Sequence, residues 1–407
     1  MNTAAASALA VNRALETVIR EDRGRLLSAL IARIRNFQLA EDVLQEAMAS
    51  AFVHWSRNGL PQSPQGWLLQ VAWRKALDRM RRNKTETKTG EAIHVLAGED
   101  YGDDPEEIPD ERLRLIFTCC HPALEQKSRV ALTLRTICSL STGEVASAFL
   151  DQEATMGQRL TRAKAKIAAA GIAYAVPGED EWAERLQGVL AVIYLIFNAG
   201  YSAIPDKKRD LAGEAIYLAR MLNRLCKEQP EVEGCLALLL LTNARRAARL
   251  GADGATVPMA EQNRALWNAD HIKEGLSLIE TAMQRRAPGP FQIKAAIAAC
   301  HMEEAGSDWK QIAALYDSLL RFEPTPVVQL NRAIAIAEAG SLDVGLKLLQ
   351  KLSGELVDYQ PYHAALAELL ARAGKRADAK KAYAEAINRA TSEADIVFLT
   401  GRLGGLG

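Results

Sequence analysis

Apolar positions along the chain recur at helical rather than strand spacing. In "LAEDVLQEAMASAFVHW", Leu44, Met48, Ala51 and Trp55 fall at i, i+4, i+7 and i+11, one face of a helix. Asp42, Gln45, Glu46 and Ala49 form a second, partly anionic stripe on the same segment. After the loop signal "PQSPQG", the stretch "PQGWLLQVAWRKALDRMRRNK" places Leu68, Ala72, Ala76 and Met80 on one face. Its cations stand in two rows, Arg74/Arg81 and Lys75/Arg79/Arg82, beside Trp67 and Trp73. Cations interleaved with aromatic rings suit unstacked bases as well as phosphates, although Trp73 reads more naturally as core.

Farther on, "LSTGEVASAFLDQEATMGQRLTRAKAKI" predicts two helices around a short turn at "DQEA". "LST" supplies an N-cap ahead of Glu144, and Val145, Ala146, Phe149 and Leu150 give the first helix its apolar face. The second carries Leu160, Ala163 and Ile167 on one stripe and Arg159, Arg162 and Lys166 on another, with Thr155 and Gln158 at its N-terminal end. A recognition helix has this layout: N-terminal side chains reach base edges while cations neutralise phosphates. An ordinary amphipathic helix with a solvated basic face has it too.

With these patterns and few alternating β-branched runs, the expected fold class is all-α, in keeping with abundant Ala, Leu, Glu, Lys and Arg. Five stretches emerge. Residues 10–83 and 112–170 are helical modules, and 84–111 is a polar, acidic, Gly/Pro-punctuated linker. After "VPGEDE", residues 180–298 form a helical extension and 299–407 a repeat region. "ACHMEEAG", "AIAIAEAG" and "AELLARAG" share A-x-x-h-x-x-A-G, ending at Gly306, Gly340 and Gly374, with Leu315, Leu349 and Tyr383 keeping the same step. That step of 34 residues is the period of tetratricopeptide helix pairs. Small Ala permits close helix approach, Gly ends the first helix in a left-handed cap, and Pro324 falls at a handover between repeats.

Charge changes the picture in one respect. The chain is formally neutral, with 50 Lys/Arg and 50 Asp/Glu. Residues 1–170 hold 23 cations and 21 anions, but nine of those anions lie within Glu91–Glu111, which has no Lys or Arg. The modules flanking the linker are therefore basic, as a nucleic-acid binder requires.

Catalytic chemistry is not in view. There is no Walker-type loop, G-x-S-x-G or H-E-x-x-H, so the chain is not read as an enzyme and no cofactor is expected. The six cysteines form no C-x-x-C pair, and Cys119-Cys120-His121 lacks the second ligand pair of a metal site. Without a secretory-type segment or an apolar run long enough for a membrane span, a cytoplasmic protein with reduced thiols is expected.

Taken in order, "AEDVLQEA", P-x-x-P-x-x-W-L, "ALDRMRR", the acidic linker, "LSTGEVASAFL" and T-x-x-Q-R-L-x-R-A-K resemble an extracytoplasmic-function (ECF) RNA polymerase sigma factor across residues 10–170. "LRLIFTCCHPAL" and "VIYLIFNAGYSA" resemble the subgroup with a C-terminal tetratricopeptide-like extension, so the likeness covers almost the whole chain. The resemblance implies that residues 10–83 are a region 2-like domain and 112–170 a region 4-like helix-turn-helix domain. Asp42, Gln45 and Glu46 would then dock on the core polymerase. The loop "SRNGLPQSPQ" and the helix carrying Trp67, Arg74, Lys75, Arg79, Arg81 and Arg82 would open and read the −10 element. Thr155, Gln158, Arg159, Arg162 and Lys166 would read the −35 element. A 28-residue linker can extend to roughly 90 Å at ~3.3 Å per residue, enough to span two turns of duplex.

A helix-turn-helix regulator with a repeat-type sensor or partner-binding domain is the alternative, and a repeat scaffold that binds proteins is a third. The repeats offer a surface for a protein partner or for the chain's own N-terminal modules, and their fusion suggests control in cis of the N-terminal half.

Overall fold

The computed structural model describes residues 11–18, 22–84, 110–149, 151–202, 210–303 and 306–406. It is all-α: the described residues form helices and turns, with one isolated antiparallel bridge between Leu250 and Thr256. The expected linker falls almost wholly outside the described residues, as do Leu150 and two positions of the first repeat motif. The chain divides into two compact units, one of residues 1–199 with 205–214, the other of 200–204 with 215–407.

In the first unit, α1 (Arg23–Ile34), α2 (Phe37–Asn58) and α3 (Pro64–Lys84) follow a short helix at residues 11–18. The Asn36 side chain starts α2 by accepting the Leu39 amide at 3.0 Å, and Ser63 starts α3 by accepting the Gly66 amide at 3.1 Å. Leu44, Ala51, Trp55, Leu68, Ala72 and Ala76 are buried as their spacing predicts, and Trp73 is core; Met48 and Met80 lie half-buried at the edge.

Next come α4 (Arg112–Cys119), α5 (Gln126–Thr136), α6 (Thr142–Ala148) and α7 (Glu153–Ala169). Ser141 and Glu144 form a reciprocal capping box, their side chains bonded to each other's backbone amides at 3.2 and 2.7 Å. The turn before α7 is shorter than expected. Gln152 is the extended N-cap, and Glu153 of the "DQEA" signal already lies in the first helical turn, where an acid is favoured. Cys119 and Cys120 are buried, the latter 3.5 Å from the Thr133 hydroxyl, and burial raises the thiol of Cys120 to about 11.

The first unit also runs past "VPGEDE". In α8 (Glu179–Ser202), Trp182 packs on Phe117 at 5.3 Å between ring centroids, and Arg185 donates to the Phe117 carbonyl at 2.9 Å. The compact unit thus ends later than composition suggested, because the first turns of α8 cover α4.

The second unit takes in most of α9 (Leu211–Leu225), then α10 (Pro230–Ala244), α11 (Ala269–Gln284) and α12 (Pro290–Cys300). It continues with α13 (Trp309–Leu319), α14 (Pro326–Glu338), α15 (Leu342–Lys351), α16 (Gln360–Arg372), α17 (Arg376–Arg389) and α18 (Glu393–Gly404). Gly306, Gly340 and Gly374, one per repeat motif, have φ of 97°, 101° and 74°, a conformation open to glycine at little cost. Ile293, Ile297, Ile312, Leu319 and Val328 join α12 and α13 to α14, and a second cluster runs from Leu330 through Leu349 and Tyr362 to Leu399. Each helix pair therefore shares its core with the next. At Gly345 the approach is so close that a Cβ would lie 2.6 Å from the Ala333 carbonyl. The segment after α10 returns to the last helix, Thr256 bonding Asp395 at 2.6 Å and Arg402 pairing with Glu261 at 3.1 Å.

His301 caps this arrangement at the end of α12. Its Nδ1 lies 2.8 Å from the Ser307 hydroxyl, and its ring meets Trp309 edge-on at 5.4 Å. Burial, reinforced by the Arg245 guanidinium, lowers the imidazole to about 4. The folded state keeps this histidine neutral where the unfolded chain, near 6.5, takes up a proton. Its contribution to stability is complete above about pH 6.5 and declines as pH falls towards 4. Between pH 7 and 5 the loss should be about 2 kcal/mol. Denaturant titrations of His301→Gln should show that much less pH dependence than the parent; equal slopes would contradict this assignment.

Candidate nucleic-acid interface

The described structure brings α2 and α3 side by side, and the sequence-selected residues meet on them. Glu46 on α2 receives Arg79 directly and Lys75 at 3.6 Å, while Asp42 lies 3.6 Å from Arg79. Two of the residues expected to read DNA therefore neutralise two of those expected to dock on a protein. The side chains of these pairs are 33–41% exposed, so they bind loosely and exchange readily with other partners. Gln45, Arg74, Arg81 and Arg82 are exposed.

Trp67 stands at the mouth of an open groove of about 690 Å³ between the two helices. Its indole stacks with His54 at 5.4 Å and 25° and meets the buried Trp55 edge-on at 5.4 Å. Arg57, Asn58 and Lys75 supply polar groups around it, and Val53 an apolar wall. A half-exposed aromatic face, a stacked imidazole and two cations can hold a planar, electron-rich ring beside a phosphate. Arg57 and Asn58 belong to the loop "SRNGLPQSPQ" singled out in the sequence, whereas His54, next to Trp55, was not singled out.

On α7, Thr155, Gln158, Arg162 and Lys166 are exposed along one side, while Met156, Leu160, Ala163 and Ile167 form the buried stripe. Arg159, expected on the face that reads the −35 element, is half-buried and pairs with Asp151 at 2.6 Å, closing the turn between α6 and α7. Gly157 leaves open space, since a Cβ there would come no nearer than 4.0 Å to Thr142.

Lys164 was not singled out by spacing, yet it is the cation of α7 with the most consequential partner. Its ammonium bonds Glu41 of α2 in a pair whose side chains are only 13% and 11% exposed. Arg23 joins the same node, donating to the Arg135 carbonyl at 3.2 Å. Burial lowers its guanidinium to about 10, Arg135 adds to the lowering, and Glu41 opposes it. Tyr174, just beyond α7, shares its hydroxyl proton between the Ser28 carbonyl at 2.9 Å and the Glu111 carbonyl at 3.3 Å. The signal for Lys164 was present: it occupies the i+4 slot of the stripe begun by Leu160, where a charge needs a buried partner.

No helix among the described residues is long and apolar enough to cross a membrane. The described residues hold no cluster of three or more His, Cys, Asp or Glu suited to a metal.

The Lys75–Glu46–Arg79 arrangement has a measurable consequence. Glu46→Ala should free Lys75 beside the Trp67 groove, leave Arg79 with Asp42 alone, and steepen the salt dependence of single-stranded DNA binding by about 0.7 log unit per added phosphate contact. Titrations of a fluorescent oligonucleotide across a salt series read this slope; a slope identical to the parent's would mean that those cations do not face DNA.

Comparison with known proteins matches residues 18–86 to sigma-70 region 2, the stretch that forms α1 to α3. Residues 185–283 match a family of unknown function, DUF6596. Over 396 residues the chain is 40% identical to "Uncharacterized protein R00370" of Rhizobium meliloti (strain 1021), covering 93% of this chain and 92% of that protein. The chain belongs to the same family as that Rhizobium meliloti protein, and its N-terminal helices match a sigma-70 region 2, which supports a sigma-factor role.

Proposed function

We propose that this protein is an ECF-type sigma factor, a dissociable subunit that directs core RNA polymerase to particular promoters and initiates transcription. The observation that carries the reading is the region 2 match over α1 to α3, on the same helices that hold the Trp67 groove. In this reading Asp42, Gln45 and Glu46 dock on the polymerase. Trp67 and the cations Arg74, Lys75, Arg79, Arg81 and Arg82 hold the unpaired −10 strand. Stacking on an aromatic is worth about 1–3 kcal/mol per base, so one captured base offsets much of the cost of unpairing it.

The pair α6 and α7 serves as a helix-turn-helix that reads the −35 element through Thr155, Gln158, Arg162 and Lys166. Arg159 acts there by fixing the turn through Asp151. The helix pairs from α12 onward are tetratricopeptide-like and regulatory, supported by their 34-residue motif and left-handed glycine caps. The protein works in the cytoplasm, and its fused repeats take the place of a separate regulator.

Transcription with purified core polymerase on fragmented DNA of the source organism tests the proposal. Full-length protein should yield discrete run-off transcripts, and Trp67→Ala should reduce them by tenfold or more, about the worth of one stacked base. Duplex binding without transcripts from any form would favour the plain helix-turn-helix regulator.

A further inference from the structure

Among the described residues, eight buried side-chain nitrogen or oxygen atoms have no hydrogen-bond partner, and four of them belong to one part of the second unit. They are Asn243 Oδ1, Arg245 Nε, Trp267 Nε1 and His271 Nδ1. A single backbone contact gathers their residues: the Asn268 amide donates to the Ala244 carbonyl at 2.9 Å. Asn243 and Arg245 flank that carbonyl at the end of α10. Trp267 precedes that amide, and the Asn268 side chain accepts the His271 amide at 3.0 Å as the N-cap of α11. Folded proteins leave few such atoms unsatisfied, so four around one contact call for a partner.

Water could satisfy the hydrogen bonds but would not neutralise a charge. The Arg245 guanidinium meets a neutral group, the Gln262 side-chain carbonyl, at a long 3.4 Å. Gln262 is fixed in that orientation by its own bond to the Val257 carbonyl at 3.1 Å. Two acids close by in the chain are engaged elsewhere, Glu261 with Arg402 at 3.1 Å and Glu274 with Arg220 at 3.0 Å. Burial lowers the Arg245 guanidinium from its ordinary value; Tyr201 opposes the lowering and Arg249 adds to it. A desolvated cation is costly unless an anion meets it, and none of the groups that contact Arg245 supplies one.

We propose that Asn243, Arg245, Trp267 and His271 form a binding site for a small organic anion, one bearing a carboxylate or phosphate beside a hydroxyl or amino group. The anionic oxygens accept from Arg245 Nε and Trp267 Nε1, bonds strengthened by the ligand's charge. Asn243 Oδ1 accepts the hydroxyl or amino proton. Burial, with Arg220 adding, holds His271 below the ordinary imidazole range, so its neutral ring offers a proton or a lone pair at Nδ1. Arg264 lies 4.5 Å from the Trp267 ring centroid and donates to the His301 and Glu303 carbonyls at 3.1 and 2.7 Å, which holds the indole in place. Exposed Arg264 and Asn268 set the site just under the surface. The site lies wholly within the second unit and holds whether or not the chain initiates transcription.

Isotope-labelled tryptophan in the full-length protein, read by its indole N–H resonances, reports on the site directly. The chain has six tryptophans, and Trp267→Phe assigns the relevant signal. Inorganic phosphate and glycolate, each an anion with a hydroxyl, are titrated separately near neutral pH, with chloride keeping the ionic strength constant. At least one should shift the Trp267 signal saturably below about 50 mM, and Arg245→Gln should weaken that binding by about tenfold or more. A response to phosphate alone would mark a phosphorylated ligand, and to glycolate alone a carboxylate. No saturable shift with either probe would overturn the site, as would equal affinity in Arg245→Gln.

Trp267→Phe keeps a ring beneath Arg264 and loses the N–H, so it tests the site even where Arg245→Gln fails to fold. Its calorimetric affinity for the responding probe should fall by about fivefold or more. Unchanged affinity would equally overturn the proposal.

Discussion

A buried ion pair between Lys164 and Glu41 joins α2 to α7 in the N-terminal half. An ammonium and a carboxylate taken out of water lose their hydration, and their mutual attraction offsets part of that cost, so removing one partner costs about 3–5 kcal/mol. Arg23 adds a second cation to the node and brings the end of α5 into it through the Arg135 carbonyl. Because the pair joins α2 to α7, it ties the anionic stripe near Asp42 to the helix that bears Thr155 and Gln158. Lys164 also lines a cavity together with Phe37 and Tyr174.

The same economy of charge appears on α2 and α3. Glu46 holds Lys75 and Arg79 against the protein while the Trp67 groove stays open beside them. Exposed pairs of this kind contribute under about 1 kcal/mol each, so a nucleic-acid phosphate or a protein surface competes for either side. The buried pair stabilises geometry, and the exposed pairs keep the surface uncommitted. In the second unit, by contrast, small residues and glycine caps set the helix spacing, and each pair of helices rests on the next.

Much of this was legible in the sequence because periodicity reports burial directly. Leu44, Ala51 and Trp55, or Leu160, Ala163 and Ile167, lie where a helical face demands, and Gly306, Gly340 and Gly374 adopt the left-handed backbone that their repeated position implied. Pairing was harder to see. Arg79 and Glu46 are 33 residues apart and Lys164 and Glu41 are 123 apart, separations at which helical spacing carries no information about which charges meet. Arg159 likewise sat in a clean cationic row, and its pairing with Asp151, in the turn before α7, could not be read from that spacing. Contacts across a compositional break are equally hard to see: "VPGEDE" reads as a break, and Trp182 and Arg185 beyond it pack on Phe117.

The central claim is that this chain opens DNA together with core polymerase rather than simply binding it. Permanganate, which oxidises unpaired thymines, reads this directly on a promoter fragment recovered from the transcripts. Reactive thymines upstream of the start site are expected with full-length protein plus core polymerase, and none with either alone or with Trp67→Ala. Protection of the duplex by the complete mixture without any reactive thymine would contradict a sigma-factor function.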